Sequence, residues 1–319
     1  PDGTTRIQHG LEECIRSGAT TVGEISKPDA PWPSDDTPPS ENTPAASLTA
    51  FIELLGLAED RSEQAVAEFS AAQQRLRQQR PRWSMGVSPH APYSTHGKLV
   101  EAICRYSSEH ALPLAMHLAE SPEELELLQS HGGPFRTLLD EIGVWNSAAF
   151  PQGATTVDYL KQLATAHRSL VIHGNYLNEQ DMEFLARQND RMSVVYCPRT
   201  HAYFQHAPHP LPKLLSAGIN VALGTDSRAS TPDLDIMAEL RHVATLQPSL
   251  SPEAILQMGT TAGAQALGLA NHIGSLEIGK RADLSVFALA NEPSSGALEM
   301  LLHEPLPCVA TVLGGKLYG

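Results

Sequence analysis

Short apolar segments recur along the chain, and longer amphipathic or polar stretches separate them. Clear examples end at Val87, Met116, Ile172, Tyr196 and Leu223. Short apolar runs bounded by Gly, Pro or polar residues are typical of buried strands, and the stretches between them have the apolar spacing of helices. This alternation predicts a parallel sheet whose strands are joined by crossover helices.

The periodicity also gives approximate bounds for the other elements. The chain begins in a helical pattern that leads into a β-branched strand over residues 19–25, as if another strand preceded the helix. Residues 48–57 read as a further strand, and residues 27–47, rich in Pro, Ser and Asp, read as a mobile or disordered loop. Helices are predicted over residues 60–80, 97–110, 156–166, 178–187, 213–217, 234–246 and 252–267.

Two local patterns add detail to this outline. Ser121-Pro-Glu-Glu124 predicts a helix start with a capping box, in which the Ser and Glu side chains each accept a backbone N–H. Residues 143–155 read as an insertion, and the segment after Gly274 reads as strands and turns. We therefore predict a barrel domain over residues 1–270 and the strands of a small composite β-sandwich over residues 271–319.

Composition limits the classes of protein that the chain can represent. The 319 residues suffice for one α/β barrel of about 250 residues and a small additional element. A net charge of −14 argues against a nucleic-acid partner. The sequence contains no apolar run long enough for a transmembrane helix, its first residues do not resemble a signal peptide, and its four cysteines are widely spaced. These features predict a cytoplasmic protein with reduced thiols.

Histidines and carboxylates follow several of the predicted strands. His90, His117, His173 and Asp226 occupy such positions, and Glu120 comes three residues after His117. In parallel α/β barrels the carboxyl ends of the strands carry the chemistry. His117, His173 and Asp226 are of the residue types that bind Zn²⁺ or Fe²⁺. Each residue also has a structural interpretation, such as a hydrogen-bonded histidine or a helix cap, but their recurrence on successive strand ends favours a functional site.

The motifs together resemble the amidohydrolase superfamily, in particular its cytosine deaminase-like and chlorohydrolase-like branch. The resemblance implies a (β/α)8 TIM barrel and hydrolysis that depends on one divalent metal ion, zinc or iron. His117 and Asp226 then correspond to metal ligands, Glu120 to a proton shuttle, and His173 to a metal ligand or a residue that orients the attacking water. The resemblance rests on five segments: Ser88-Pro-His90-Ala-Pro-Tyr93, His117-Leu-Ala-Glu120, Val171-Ile-His173-Gly, Val221-Ala-Leu-Gly-Thr-Asp226-Ser and Ile273–Leu284.

The sequence departs from this family pattern in two places. The family's first barrel strand ends in His-x-His, which supplies two metal ligands, and this sequence contains no His-x-His. We therefore expect the first strand to be missing and the affinity for metal to be weakened. Cys197-Pro-Arg199-Thr-His201 stands where many relatives have a different motif, so Arg199 and His201, together with His90, are predicted to contact substrate.

The resemblance implies deamination of an amino-substituted heterocycle, such as an adenosine-derived compound: S-adenosylhomocysteine or aminodeoxyfutalosine. Three alternatives remain open at this point. The same fold could hydrolyse a cyclic amide, it could hydrolyse a C–Cl bond, or the chain could be a metal-free barrel with a binding role. The expected partner is a small heterocyclic molecule, without nucleic acid or membrane. A homodimer is common for such barrels, although nothing in the sequence requires it.

Overall fold

A computed structural model describes residues 3–32, 47–59, 61–79, 83–289 and 296–318. These residues form thirteen helices and ten strands. The helices are α1 (Gly3–Arg16), α2 (Arg61–Gln79), α3 (Gly97–His110), α4 (Pro122–Ser130), α5 (Gly133–Glu141), α6 (Thr156–Leu163), α7 (Glu179–Ala186), α8 (Pro198–Tyr203), α9 (Leu211–Ser216), α10 (Ile236–Leu246), α11 (Pro252–Met258), α12 (Thr261–Ala266) and α13 (Ala297–His303). The strands are β1 (Thr21–Ser26), β2 (Ser47–Leu54), β3 (Ser84–Pro89), β4 (Pro113–Leu118), β5 (Arg168–His173), β6 (Met192–Tyr196), β7 (Asn220–Leu223), β8 (Leu284–Phe287), β9 (Cys308–Leu313) and β10 (Lys316–Tyr318).

The first seven strands form one parallel sheet in sequential order, β1 to β7. Each strand pairs in parallel with the next one, as β2 does with β3 through the Glu53–Ser88 pair. A helix follows most strands and crosses back over the same face, as parallel connections require. Within the described residues β1 and β7 do not pair, so the sheet curls as a barrel does without closing. This arrangement confirms the predicted α/β barrel architecture.

Successive side chains along a strand point to opposite faces of the sheet, so each face carries its own apolar layer. Phe51, Ala115, Leu170 and Ile172 belong to a cluster on the concave face of the sheet. Their neighbours along the strands, such as Ile52, belong to the larger core between the sheet and the helices. The parity matters for the site because Glu53 follows Phe51, and His117 follows Ala115, by two residues on the same strand face.

The last three strands form a separate antiparallel sheet in the order β10–β9–β8. Helix α1 packs against it: Ile15 and Leu313 form a small buried cluster, and Thr311 donates a hydrogen bond to the carbonyl of Ile15. Helix α1 and this small sheet therefore pack against each other. The division at residue 270 remains a prediction.

Several local predictions differ from the structure. Helices α5, α8 and α13 were not predicted, and the residues predicted as one helix over 252–267 form the two helices α11 and α12. The capping box at Ser121 is half formed: Ser121 accepts the N–H of Glu124, but the Glu124 carboxylate binds the backbone of the preceding loop. The predicted loop over 27–47 lies largely outside the described residues.

In the part of the chain that the structure describes, no helix is long and apolar enough to cross a membrane.

Candidate active site

The carboxyl ends of β2 to β5 bring together Glu53, His90, His117, Glu120 and His173. The His117 ring lies between its neighbours, with ring centroids 4.9 Å from His90 and 5.5 Å from His173. His173 Nε2 is 3.5 Å from Glu120 Oε1, and His90 Nε2 is 3.9 Å from Glu53 Oε1. A row of imidazoles flanked by two carboxylates therefore crosses the open end of the curled sheet.

Backbone hydrogen bonds between neighbouring strands fix this row. His90 N–H donates to the carbonyl of Leu54, and His117 N–H donates to the carbonyl of His90. His117 Nδ1 also lies 2.8 Å from the His90 carbonyl oxygen. A carbonyl can only accept, so Nδ1 of His117 carries a proton, and in the neutral ring the lone pair is on Nε2. The lone pair of His117 is thus available to a metal ion or a proton.

Three residues near the strand ends adopt the left-handed backbone region that non-glycine residues rarely enter. Ala119 has φ 54°, His173 has φ 68° and Asp226 has φ 57°. Ile172 faces the concave side of the sheet, so strict alternation would point His173 towards the helices. The turn at His173 redirects its side chain towards Glu120. Strained backbone of this kind concentrates at functional sites.

The loop that carries Glu120 is held by two buried polar side chains. The Glu124 carboxylate accepts the N–H of Ala119 at 2.8 Å and that of Glu120 at 3.0 Å. Asn175 Nδ2 donates to the carbonyl of Glu120 at 2.9 Å. Because Glu124 is fully buried at the start of α4, it ties the helix to the loop and fixes where Glu120 can reach.

Burial shifts the protonation of the central groups. It raises the pKa of the Glu120 carboxyl; the charge of His117 opposes this effect and that of Asp226 adds to it. Burial also lowers the pKa of His173 well below its usual range, and the neighbouring His117 acts in the same direction. The pKa of His90 falls to about 4 for the same two reasons. Burial therefore favours the uncharged forms of both Glu120 and His173.

Asp226 lies in the loop after β7 and is held by that loop. Its Oδ1 accepts the N–H of Ser227 at 2.6 Å, and its Oδ2 accepts the Ser230 hydroxyl at 3.2 Å. The Asp226 carboxylate is near enough to influence the protonation of Glu120. It is not part of the compact group formed by Glu53, His90 and His117.

Arg199 and His201, both predicted to contact substrate, lie on α8 after β6. Arg199 Nε donates to the buried Glu239 at 2.6 Å, and its Nη2 donates to Asp233 at 2.7 Å. Its side chain is only 14% exposed. His201 Nε2 bonds the carbonyl of Ala207 at 2.8 Å, which fixes the turn after α8. Both side chains thus have partners within the protein.

Sequence reasoning missed three residues that shape the site: Glu53, Glu124 and Asn175. Glu53 had a signal, because a carboxylate two residues after the interior-facing Phe51 lies on the same face of a largely buried strand. Glu124 was assigned to a helix cap. Asn175 follows His173-Gly, and nothing in its sequence position distinguishes it.

Comparison with known proteins identifies the family. A sequence model of the Amidohydrolase family matches residues 2–314, so the chain belongs to this family. The solved relatives share the fold that contains the seven-stranded parallel sheet.

The chain is similar to curated and solved deaminases. It is 30% identical over 278 residues to an aminodeoxyfutalosine deaminase of Deinococcus radiodurans, covering 83% of this chain and 64% of the relative. It is 34% identical over 210 residues to a 5-methylthioadenosine/S-adenosylhomocysteine deaminase of Syntrophobacter fumaroxidans, covering 63% and 43%. The Helicobacter pylori aminofutalosine deaminase in complex with methylthio-coformycin superimposes with a TM-score of 0.80 at 25% identity, covering 98% of this chain and 75% of that one. The chain spans less than two thirds of the length of these curated relatives.

Metal binding is consistent with the donors present. An adenosine deaminase from Xanthomonas campestris with the same fold (TM-score 0.72, 24% identity, covering 97% of this chain and 67% of that one) holds zinc. In this chain His117 presents an unshared Nε2, and carboxylates and imidazoles surround it. Nitrogen and oxygen donors of this kind suit zinc, so the residues present fit the metal.

Proposed function

We propose that the chain is the catalytic part of a metal-dependent aminohydrolase that removes an exocyclic amino group from an adenine-type heterocycle. The observation that carries the proposal is the contact between Glu120 Oε1 and His173 Nε2, 3.5 Å apart and next to the unshared Nε2 of His117. A buried carboxyl group, a neutral imidazole and a second imidazole lie together at one strand edge, which supports their proposed roles as acid, water-orienting group and metal ligand. The deaminase names of the relatives support the same reaction.

His117 and Asp226 would hold the metal, with His173 beside it. A bound divalent metal ion supplies Lewis-acid activation of water at neutral pH. Neutral His173, whose pKa is lowered by burial, would orient the attacking water, and the Asp226 carboxylate would take the proton of that water. Protonated Glu120, with its raised pKa, donates to the ring nitrogen as the water oxygen adds to the amino-bearing carbon. The proton taken from the water would then pass to the amino group, the C–N bond would break to release ammonia, and the hydroxyl proton would return to Glu120 as the ring carbonyl forms.

The substrate class follows from the relatives. We propose an adenine nucleoside modified at its 5′ position, of the kind that 5-methylthioadenosine/S-adenosylhomocysteine and aminodeoxyfutalosine deaminases are named for. The complex of the Helicobacter pylori enzyme with methylthio-coformycin supports this class. His90 is proposed to face this substrate, since it lies beside His117 at the same edge. Arg199 and His201 remain proposals as substrate contacts.

The test is an ammonia-release assay with zinc-loaded protein and four substrates: adenosine, 5′-methylthioadenosine, S-adenosylhomocysteine and aminodeoxyfutalosine. We expect stoichiometric ammonia and the matching shift of the purine absorbance. Consumption of a cyclic amide without ammonia, or release of chloride from a chlorotriazine, would instead support the alternative reactions. If the protein binds no metal and turns over none of these compounds, the hydrolase proposal is wrong.

We also propose a cytoplasmic location and a homodimer. All four cysteines are free, which supports a reducing compartment. Light scattering of the purified chain tests the oligomeric state, and a molar mass of one chain would contradict the dimer.

A further inference from the structure

His209 lies in the loop between α8 and α9 and reaches the residue at the end of β5. Its Nε2 is 3.1 Å from the carbonyl oxygen of His173, which is 36 residues earlier in the chain. A carbonyl can only accept a hydrogen bond, so Nε2 of His209 carries a proton. A segment far from β5 in sequence therefore holds the backbone of His173.

The carbonyl of His173 belongs to the turn that directs the side chain of the same residue. His173 has φ 68° and Gly174 has φ 62°, so two successive residues leave the extended conformation. The ladder between β5 and β6 ends at the Ile172–Val195 pair, one residue before this turn. A left-handed conformation is unfavourable for a residue with a side chain, so it needs contacts that hold it. The hydrogen bond from His209 is one of these contacts.

The surroundings of His209 indicate that its N–H is needed and not only its size. Its ring is buried and stacks on Tyr196 of β6, with the ring centroids 3.8 Å apart and the ring planes at 22°. Burial lowers the pKa of His209 to about 3, so the ring is neutral and its Nδ1 is an acceptor. Nδ1 is buried and has no hydrogen-bond partner within the described residues. An unpaired buried acceptor is unfavourable, and an apolar ring would fill the same space without one. We therefore attribute the imidazole to the hydrogen bond that its Nε2–H makes.

Further contacts fix the loop that carries His209. His201 Nε2 lies 2.8 Å from the carbonyl oxygen of Ala207, and the Tyr176 hydroxyl accepts the N–H of Ala207 at 3.5 Å. The backbone N–H of Tyr176 in turn donates to the carbonyl of Ala119. The loop is thus tied to the segments that follow β4 and β5.

We propose that His209 is a positioning residue for His173. By holding the carbonyl of His173, its Nε2–H keeps the left-handed turn and with it the direction of the imidazole that faces Glu120. The inference rests on the proposed function where it concerns rate, because there His173 orients the attacking water. Without the hydrogen bond the turn relaxes, the imidazole moves away from Glu120, and the water loses its orientation. In this scheme His209 contacts neither the substrate nor the metal.

Two substitutions separate the N–H from the shape of the ring. His209→Phe keeps an aromatic ring on Tyr196 and removes the donor, whereas His209→Gln can bring its amide N–H₂ near the position of Nε2. In the ammonia-release assay, with the adenine nucleoside that the wild type turns over fastest, we expect kcat to fall roughly 10–100-fold in His209→Phe. His209→Gln should retain kcat within about threefold, and KM should change by less than about threefold in both. His272→Phe, the same change at an exposed histidine, is the matched control.

A merely structural role gives a different result. Both variants would then lose stability, and the kcat of the folded protein would match that of the wild type. A His209→Phe variant with the kcat of the wild type would contradict the proposal. So would a His209→Gln variant that donates to the His173 carbonyl in its crystal structure and is still as slow as His209→Phe.

Crystal structures of the same proteins test the geometry without substrate. In the wild type and in His209→Gln we expect His173 to keep its φ of 68° and its Nε2 to stay 3.5 Å from Glu120 Oε1. In His209→Phe this distance should lengthen by about 1 Å or more. An unchanged His173 in His209→Phe would overturn the inference. If the geometry responds as expected but the wild type releases no ammonia, the proposed function fails and the positioning of His173 by His209 stands.

A measurement on the unaltered protein covers variants that do not fold. Long-range proton–nitrogen NMR spectra of protein with isotopically labelled histidines distinguish the two neutral tautomers of each ring, and NOEs to Tyr196 assign His209. We expect the His209 signals to report a proton on Nε2 and none on Nδ1. A proton on Nδ1 alone would leave nothing to donate to the His173 carbonyl and would overturn the proposal.

Discussion

Glu120 is the residue on which the proposed chemistry depends most. Its carboxyl touches His173, its backbone is held on both sides by Glu124 and Asn175, and burial raises its pKa. Burial favours the protonated form of a group so placed, which lies at the strand edge beside His173. Activity should therefore require the carboxyl group of Glu120 and not merely a polar side chain at this position.

We expect Glu120→Gln to lower kcat by about 10²–10⁴-fold, because an amide cannot shuttle a proton. Metal content should not change, since Glu120 is not a proposed ligand. Steady-state kinetics and elemental analysis of the same preparation measure both. Glu126→Gln, an exposed neighbour on α4, is the matched control. Full activity of Glu120→Gln would show that the proton-shuttle role is wrong.

Glu124 gives a prediction about stability and pH. Burial raises its pKa to about 8, against the hydrogen bonds from Ala119 and Glu120 that lower it. Between its ordinary pKa and about 8, the unfolded chain has released this proton and the folded chain keeps it. The free energy of unfolding therefore falls as pH rises through this window and levels off above it.

Glu124→Gln should remove this slope, which amounts to roughly 3–5 kcal/mol across the window. Below the window the variant is expected to be less stable than the wild type, because the amide N–H₂ faces two backbone donors. The difference between wild-type and variant unfolding free energies, measured in urea from pH 5 to 9, isolates the titration. A difference that stays constant with pH would contradict the raised pKa.

At the scale of elements, the Arg199 fork joins α8 to α10. Glu239 accepts the Arg199 backbone N–H and its Nε, and Asp233 accepts Nη2. The Glu239 side chain is fully buried. These bonds link the segments after β6 and β7, and the second of these segments carries Asp226. These hydrogen bonds hold the two loops in a fixed position beside the site.

Arg199→Met should cost about 3–5 kcal/mol in unfolding free energy, because it leaves the Glu239 carboxylate buried without a partner. Adding Glu239→Leu should recover much of this loss. Chemical denaturation of the single and double variants measures the coupling. If Arg199 instead binds substrate through Nη1, Arg199→Met should raise KM and leave the free energy of unfolding unchanged.

At the scale of the whole molecule, the open edges of the sheet stand out. Strands β1 and β7 do not pair with each other in the described part of the chain. A cavity of about 600 Å³ lies there, lined by Gly23 and Ile25 of β1, Ala222 of β7, and apolar residues of the concave face such as Phe51. It contains none of the proposed catalytic residues. Unpaired edges next to a cavity should be the least stable part of the sheet.

Hydrogen exchange followed by mass spectrometry should show this gradient in the 319-residue chain. We expect peptides covering β1 and β7 to exchange at least tenfold faster than those covering β4 and β5, which have paired strands on both sides. Equal protection of all seven strands would mean that something else covers the two edges.

Much of this fold follows from local pattern. The apolar runs at Val87, Met116 and Ile172 lie in strands because their lengths and flanking residues suit buried parallel strands. Helix α13 was missed because the tail after Gly274 was read as strands and turns throughout. The α11–α12 break was missed because two short helices in succession share one periodicity.

The sequence by itself determined the family, the parallel architecture and the positions of His117, Glu120, His173 and Asp226 near strand ends, since these depend on neighbours along the chain. Only the tertiary structure decided which side chains meet. It brought Glu53 to His90 across two strands, redirected His173 through a left-handed turn, and gave Arg199 its partner Glu239 on α10. The physical reason is that register, strand curvature and burial arise from contacts between segments far apart in sequence, and no local pattern encodes their geometry.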